Sequence, residues 1–204
     1  MGAPTAPTGA TPAWCCSTAT GCSTRTGSIT SSRRASSCCC PGAPDAVARL
    51  NRAGIKVAVV TNQSVVGRGI ITPAQLDAIH ADLTARLAAA GAVLDALLFA
   101  PDTPDRATAR RKPGPGMLLE AMARFQAPPA DALMIGDQPT DAEAAHRAGV
   151  DFILVRTGKG RTTEATLPPG RACAVFDDLS GAGRGPARRQ ARRQPIPRPA
   201  AQWR

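Results

Sequence analysis

The sequence predicts an α/β protein built on a doubly wound parallel sheet that is covered by helices on both faces. Between residues 41 and 180, short apolar, β-branched runs alternate with segments of helical periodicity, which is the pattern typical of such a sheet. The 204-residue chain is long enough to bury a core of this kind. Residues 1–40 and 181–204 lack both patterns, so we expect one folded domain between an irregular N-terminal tail and a disordered tail rich in Pro and Arg.

The first half of the domain is predicted to contain a helix, a strand and a second helix. The first helix, at 44–53, stops at Gly54, and the β-branched run at 55–60 follows it as a buried strand. Thr72 and Pro73 begin the second helix with a hydroxyl cap and a proline at the first helical position. The apolar residues of this helix recur at helical spacing; they are Leu76, Ile79, Leu83 and Leu87.

The second half continues the alternation. Strands are predicted near 94–99, at 132–135 and at 152–155, helices near 116–125 and at 140–148, and a polar loop at 101–115. In open parallel sheets, ligands bind at the carboxyl ends of the strands. The polar residues that follow these strands are therefore the candidate functional residues.

The formal net charge of +10 comes from the two tails. Residues 1–40 hold three arginines and residues 181–204 hold seven, and neither range contains an acidic residue, whereas the middle has 15 residues of each sign. Arginine tails can bind nucleic acid, but only Trp203 stands among these arginines as an aromatic residue, which makes a nucleic-acid-binding protein the less favoured class.

Membrane and disulfide classes are also disfavoured. The apolar stretches are much shorter than the about 18 residues of a membrane span, and no secretory signal pattern is visible, so we expect a soluble, cytoplasmic protein, and a monomer. Six of the seven cysteines lie in residues 1–40, three of them adjacent. This spacing suits neither a zinc site nor a disulfide scaffold.

Three groups of polar residues can reach the same edge of the predicted sheet. The first offers a hydroxyl and successive backbone N–H groups suited to phosphate oxygens, the second offers fixed cations, and the third offers carboxylates, which are natural Mg²⁺ ligands. The groups are Thr61, Asn62, Gln63 and Ser64 after the strand at 55–60, Arg111 and Lys112 in the polar loop, and Asp137, Gln138 and Asp141 after the strand at 132–135.

Each group taken alone has a simpler interpretation. The first is typical of a turn, the second of a solvated surface pair, and the third of a common strand exit. His80 and His146 lie within helical patterns, and we interpret them as surface or boundary residues rather than ligands. The order in which the three groups occur is more specific than any one of them.

Longer segments around these groups match the pattern of a known family. They read Val-Thr-Asn-Gln-Ser at 60–64, Arg-Lys-Pro-Gly-Pro-Gly-Met at 111–117 and Ile-Gly-Asp-x-x-x-Asp at 135–141, with further matching segments at 50–55, 67–69 and 76–80. Together they resemble the haloacid dehalogenase superfamily of aspartate-based phosphatases. Within the superfamily, these segments resemble the branch of heptose 1,7-bisphosphate 7-phosphatases, with histidinol-phosphate phosphatases as near relatives. The resemblance covers about residues 41–180.

The resemblance implies a Rossmann-like fold and Mg²⁺-dependent hydrolysis of a phosphorylated sugar in the pathway to the heptose of the lipopolysaccharide core. In this family one aspartate attacks phosphorus, and a second aspartate two residues later serves as acid and base. The resemblance also implies roles for the candidate residues. Thr61 and Lys112 would take part in catalysis; Thr61, Asn62, Gln63, Ser64, Arg111 and Lys112 would bind substrate; Asp137 and the backbone of Gln138 would hold Mg²⁺; and Asp141 would orient their loop.

The chain departs from the family in two places. Many heptose-bisphosphate phosphatases carry a zinc loop of Cys and His before the Arg-Lys-Pro segment, but residues 100–110 contain neither, so we predict no zinc. The family's Asp-x-Asp motif should end the first strand, upstream of residue 42, yet residues 1–40 contain no carboxylate. As written, the chain lacks the nucleophile and the acid/base.

A shift of reading frame accounts for the missing motif. When each codon from residue 15 onward starts on the old third base, the fixed letters permit Leu-Leu-Asp-Arg-Asp-Gly-Val-Leu-Asn, an apolar strand that ends in two carboxylates. The first aspartate falls near position 18, and the cysteines at 38–40 become leucines. We therefore predict that residues 1–40 are a frameshifted reading of the first strand and the catalytic motif.

Three functions remain open at this point. The leading hypothesis is a sugar-phosphate phosphatase of this branch, represented by a chain with a defective N-terminus, with histidinol phosphate as the alternative substrate. The second is a catalytically dead relative that binds a phosphorylated ligand. The third is a nucleic-acid-binding module that uses its arginine tail.

Overall fold

The computed structural model describes the backbone of residues 13–16 and residues 42–183 in full. The expected basic tail beyond residue 183 lies outside these residues. So do the expected irregular segment, the tail cysteines and the shifted motif, apart from the backbone at 13–16.

A six-stranded parallel sheet forms the centre of the domain. Its strands are β1 (Ala13–Cys16), β2 (Lys56–Asn62), β3 (Ala96–Ala100), β4 (Ala132–Gly136), β5 (Asp151–Val155) and β6 (Ala174–Phe176). They lie side by side in the order β3-β2-β1-β4-β5-β6. The order reverses next to β1, the kind of switch point at which open α/β sheets bind ligands.

Helices cover both faces of the sheet, which confirms the predicted doubly wound α/β fold. The helices are α1 (Ala43–Arg52), α2 (Ser64–Gly67), α3 (Pro73–Ala89), α4 (Gly116–Phe125), α5 (Pro139–Ala148), α6 (Gly160–Thr166) and α7 (Leu179–Ala182). One apolar cluster packs α4 and α5 against the sheet, and a second packs α1, α3 and α7 against the other face. None of the helices described is both long and apolar enough to cross a membrane.

The central strand β1 departs from the irregular segment expected at 1–40. Its four residues pair with β2 on one side and with β4 on the other, and Cys16 stands opposite both Val59 and Ile135. The hydrogen bonds of a strand belong to the backbone, and β2 and β4 would otherwise each present an unpaired edge. The position is therefore filled although the segment lacks the hydrophobic period on which the sequence prediction relied.

The strand before the first polar group begins one residue later than predicted and ends two residues later, at Asn62. Thr61 and Asn62 pair with Phe99 and Ala100 of β3, and the backbone N–H of Gln63 donates to the Ala100 carbonyl at 2.7 Å. The first two residues of the polar group are thereby held in the sheet rather than in a loop.

The start of α3 is fixed by the predicted cap. The Thr72 hydroxyl accepts the Gln75 N–H at 3.2 Å, and the Gln75 side chain accepts the Thr72 N–H at 2.8 Å. These two bonds satisfy N–H groups that have no partner inside the helix.

We expect Thr72→Ala to lower the free energy of unfolding by about 1 kcal/mol, because it removes the cap of α3. Urea unfolding at neutral pH measures the change. Thr84→Ala is the matched control: Thr84 is exposed within the same helix, its hydroxyl donates only to the His80 carbonyl, and we expect a change below about 0.5 kcal/mol. Equal losses in the two variants would contradict the capping argument.

Candidate active site

The buried polar side chains of the described residues gather around the carboxyl ends of β2 and β4. Polar groups are normally excluded from the core unless they are paired, so such a concentration marks this edge as special. Four of the five were predicted from the sequence and one was not. They are Thr61, Lys112, Asp137, Asp141 and the unpredicted Thr163, each between 0 and 6% exposed.

Lys112 and Asp141 form a buried ion pair. The Lys112 ammonium lies 2.9 Å from Asp141 Oδ1 and donates to the Val60 carbonyl at 2.8 Å. The side chains are 6% and 1% exposed. Burying one of these charges without the other would be strongly unfavourable. The pair therefore holds the loop before α4 against the end of β2 and the start of α5.

Asp141 also shapes the turn that carries Asp137. Its Oδ2 accepts the backbone N–H groups of Asp137 at 3.2 Å and of Gln138 at 3.1 Å, as the predicted orienting role requires. A side chain at Gly136 would place its Cβ 2.5 Å from this oxygen, so only glycine leaves room for the contact.

Asp137 is buried and held from two sides by the segment after β5. Its Oδ2 accepts the Lys159 N–H at 2.9 Å, and its backbone carbonyl accepts the Thr163 hydroxyl at 2.7 Å. Burial raises the pKa of this carboxyl, and the neighbouring Asp141 adds to the rise against the hydrogen bond from Lys159.

The segment after β5 is the part of the site that sequence analysis missed. Lys159 contributes through its backbone and Thr163 through one hydroxyl, so neither offers a charge pattern that could be read along the chain. Gly160 permits the close approach, because a Cβ there would lie 1.7 Å from the Val155 carbonyl oxygen. The available signal was position: a stretch of Thr, Gly and Lys directly follows a strand, as the other polar groups do.

The first polar group divides its contacts between its own members and the lysine. The Gln63 side chain donates to the Thr61 hydroxyl at 3.4 Å, and Ser64 is the first residue of α2. The Asn62 carboxamide bonds to both backbone groups of Lys112, at 3.0 Å and 2.9 Å.

Arg111 is half-buried beside this cluster and bonds to its own loop. One of its guanidinium nitrogens donates to the Asp102 carbonyl at 2.7 Å. The Asp102 carboxylate accepts the backbone N–H of Thr108 at 2.8 Å and also its hydroxyl, and these bonds lower the pKa of Asp102. Arg110 fastens the loop to α4 through Glu120. Side-chain hydrogen bonds and an ion pair therefore hold the loop before α4.

Neither histidine is among the buried polar side chains of the described residues. His80 is half-buried on α3 with its ring centroid 5.5 Å from that of Phe99, and burial lowers its pKa. His146 is exposed in the last turn of α5.

Asp137 fits one position of a magnesium site. Mg²⁺ prefers oxygen ligands, and a cation beside this carboxylate would offset the cost of burying its charge. The Gln138 carbonyl, expected as a second ligand from the resemblance, accepts the N–H groups of Asp141 at 3.0 Å and Ala142 at 3.4 Å. Across residues 42–183, no group of three or more His, Cys, Asp or Glu is arranged to hold a metal.

Comparison with known proteins agrees with this geometry. The HAD-hydrolase-like family matches residues 109–182. The D-glycero-beta-D-manno-heptose-1,7-bisphosphate 7-phosphatase of Pseudomonas putida is 41% identical over 145 residues, which are 71% of this chain and 82% of that protein. The protein of the same name from Bordetella bronchiseptica is 42% identical over 142 residues, 69% of this chain and 78% of that protein.

Solved structures give the same result. A D,D-heptose 1,7-bisphosphate phosphatase from B. bronchiseptica, in complex with magnesium and phosphate, aligns with a TM-score of 0.74 and 32% identity over 87% of this chain and 98% of its own. The corresponding phosphatase from Burkholderia thailandensis aligns with a TM-score of 0.56 and 36% identity over 71% and 83%. The chain therefore belongs to the D-glycero-beta-D-manno-heptose-1,7-bisphosphate 7-phosphatase family of HAD-type phosphatases.

Proposed function

We propose that the domain is built for Mg²⁺-dependent hydrolysis of the 7-phosphate of D-glycero-beta-D-manno-heptose 1,7-bisphosphate. The observation that carries the proposal is the buried cluster of Thr61, Lys112, Asp137 and Asp141 at the switch point of the sheet. Membership of the family, including a relative solved with magnesium and phosphate, supports the substrate class.

The chemistry of each group suits one part of a phosphate site. The hydroxyl of Thr61 and the N–H group of Ser64 can contact phosphate oxygens, and the cations of Arg111 and Lys112 can offset their charge, whereas the backbone N–H of Gln63 is held by the Ala100 carbonyl. Charge stabilisation by fixed groups dominates phosphoryl transfer, so Lys112, held by Val60 and Asp141, is the central residue in this proposal. Asp137 would hold Mg²⁺, which supplies further neutralisation of phosphate charge when bound.

The chain as given also supports a second function, phosphate binding without hydrolysis. Residues 1–40 contain no Asp or Glu, so this part of the chain supplies neither a nucleophile nor a proton donor of the carboxylic type. The cations and N–H groups that could bind phosphate belong to residues outside 1–40, so they are present in the chain as given.

The register of β1 supports the shifted reading of residues 1–40. Cys16 stands opposite Val59 and Ile135, and two residues further along β2 and β4 are Thr61 and Asp137. The shifted reading places its first aspartate near position 18, also two residues beyond Cys16. A chain read in that frame and keeping the register would bring this aspartate level with both site residues.

We propose a division of the chain into a domain and a basic C-terminal tail, with β1 at 13–16 as part of the domain. The domain continues slightly past the predicted boundary at residue 180, since α7 ends at Ala182 and is capped by Asp178, whose carboxylate accepts the Gly181 N–H at 2.7 Å.

We expect the 204-residue chain to be inactive on phosphate monoesters and the frame-corrected chain to be active, because only the latter has the paired carboxylates. Phosphate release from heptose 1,7-bisphosphate and from histidinol phosphate, with Mg²⁺, measures both chains. Hydrolysis by the chain as given, at a rate matching the corrected chain, would overturn the frame proposal. Faster hydrolysis of histidinol phosphate by the corrected chain would overturn the substrate proposal.

Asp137→Asn is expected to separate stability from activity. In the corrected chain it should lower turnover at least about 100-fold, as the loss of a site charge typically does, while the exposed control His146→Ala leaves turnover unchanged. Burial raises the pKa of Asp137 above its ordinary 3.8, so in the window above that value the folded chain binds more protons than the unfolded one and loses stability as the pH rises.

The Asn variant lacks this loss. Urea unfolding with metal chelated should therefore find Asp137→Asn more stable than its parent at pH 7, with the advantage shrinking as the pH falls towards about 3, below the ordinary pKa of 3.8, where Asp137 is mostly protonated in both states. An Asn variant that is equally destabilised at both pH values would show that the carboxylate is not penalised by burial.

We expect the purified protein to contain no stoichiometric zinc, because its 100–110 loop is held by Asp102, Thr108, Arg110 and Glu120 instead of metal ligands. Activity of the corrected chain should require Mg²⁺. Elemental analysis and assays after chelation measure these properties. One tightly held zinc per chain would refute the first expectation, and full activity in excess chelator would refute the second.

A further inference from the structure

Asn62 makes an unusual pair of contacts at the end of β2. Its Oδ1 accepts the backbone N–H of Lys112 at 3.0 Å, and its Nδ2 donates to the backbone carbonyl of the same residue at 2.9 Å. The two residues are 50 positions apart in the chain. The side chain thus bonds Lys112 as a facing residue does in a hydrogen-bonded strand pair, where one residue exchanges both backbone bonds with its partner.

This pair of hydrogen bonds has a direct effect on the lysine side chain. A single hydrogen bond leaves a loop residue free to rotate about it, whereas two bonds on either side of one Cα fix the direction in which the side chain leaves the backbone. The side chain of Lys112 then reaches the Val60 carbonyl at 2.8 Å and Asp141 Oδ1 at 2.9 Å.

Asn62 is itself well anchored for this task. It is the last residue of β2, its Cα is in register with Ala100 of β3, and the next residue bonds to the Ala100 carbonyl. The two hydrogen bonds between Asn62 and Lys112, called the clamp below, therefore join the sheet to the loop that precedes α4.

We propose that Asn62 is a positioning residue, which holds the backbone of Lys112 so that its ammonium stays at the phosphate site. The proposal replaces the direct substrate contact expected for Asn62 with an action through Lys112. It rests on the proposed function only for the role of Lys112 towards phosphate; the clamp itself rests on the contacts described.

The chain provides a matched control. Asn51 also uses its carboxamide to accept a backbone N–H from a distant segment, that of Val93 at 2.8 Å, but it lies at the end of α1, away from the site. Asn51→Ala and Asn62→Ala therefore remove the same chemical group from comparable side-chain to backbone contacts.

The three lysines of the chain allow a test in the 204-residue protein. Lys56 and Lys159 are exposed, whereas Lys112 is 6% exposed. Limiting acetic anhydride followed by mass spectrometry gives the acetylation rate of Lys112 relative to the other two. In Asn62→Ala we expect this ratio to rise about tenfold, because two hydrogen bonds that keep the lysine in place are lost. Asn51→Ala should leave the ratio unchanged.

The second readout is the affinity for inorganic phosphate with Mg²⁺, measured by calorimetry on the same variants. We expect the dissociation constant to rise about tenfold in Asn62→Ala and to stay at the parental value in Asn51→Ala, because two lost bonds have an effect of this order. If Asn62→Ala does not fold, Asn62→Asp takes its place: it keeps the acceptor for the Lys112 N–H, loses the donor to the carbonyl, and should shift both readouts in the same direction.

An unchanged acetylation ratio in the folded Asn62 variant would overturn the inference. Where the parent binds phosphate, an unchanged dissociation constant would overturn it as well. A parent that binds no phosphate would refute the proposed function for this chain, and the acetylation ratio would then decide the role of Asn62 by itself.

Discussion

The buried ion pair between Lys112 and Asp141 is the contact on which the rest of the site depends. It joins a loop, the end of a strand and the start of a helix. Each charge needs the other, because the buried side chains have too little solvent around them to stabilise either charge alone. The second carboxylate oxygen of Asp141 accepts hydrogen bonds from the turn of Asp137, and Gly136 leaves space for this oxygen. The position of the Asp137 carboxylate therefore depends on the ion pair between Lys112 and Asp141.

The charge balance of this cluster explains why a cation belongs to it. Two carboxylates face one ammonium within the buried group, and the raised pKa of Asp137 reflects the excess of negative charge as well as burial. A phosphate group would meet repulsion there unless further positive charge accompanied it. Under the proposed function, Mg²⁺ and the half-buried Arg111 would supply positive charge, so metal and substrate binding would be coupled electrostatically.

The sequence predicted the parts of this protein that carry strong periodic or charged patterns. The cap at Thr72, the helix at 116–125 and the alternation of strands follow from local rules. The buried residues Thr61, Asp137 and Asp141 were found because polar residues follow buried strands, and Lys112 was found as a fixed cation in the polar loop. α6, β6 and α7 were not predicted, since they have only seven, three and four residues and no apolar period. The role of Thr163 and the two hydrogen bonds of Asn62 were not predicted, because they are contacts between distant parts of the chain. No spacing in the sequence indicates such contacts.

The position of β1 at the middle of the sheet bears on how resemblance between proteins is interpreted. A central strand is selected by its backbone, and its side chains enter the comparison of folds only weakly. An enzyme of this architecture can therefore lose every catalytic carboxylate of that strand and still superimpose on active relatives. When a single inserted or deleted base alters such a segment, a comparison of folds will still match the product to intact enzymes. Only the presence of the two catalytic carboxylates will then distinguish a working gene from a damaged one.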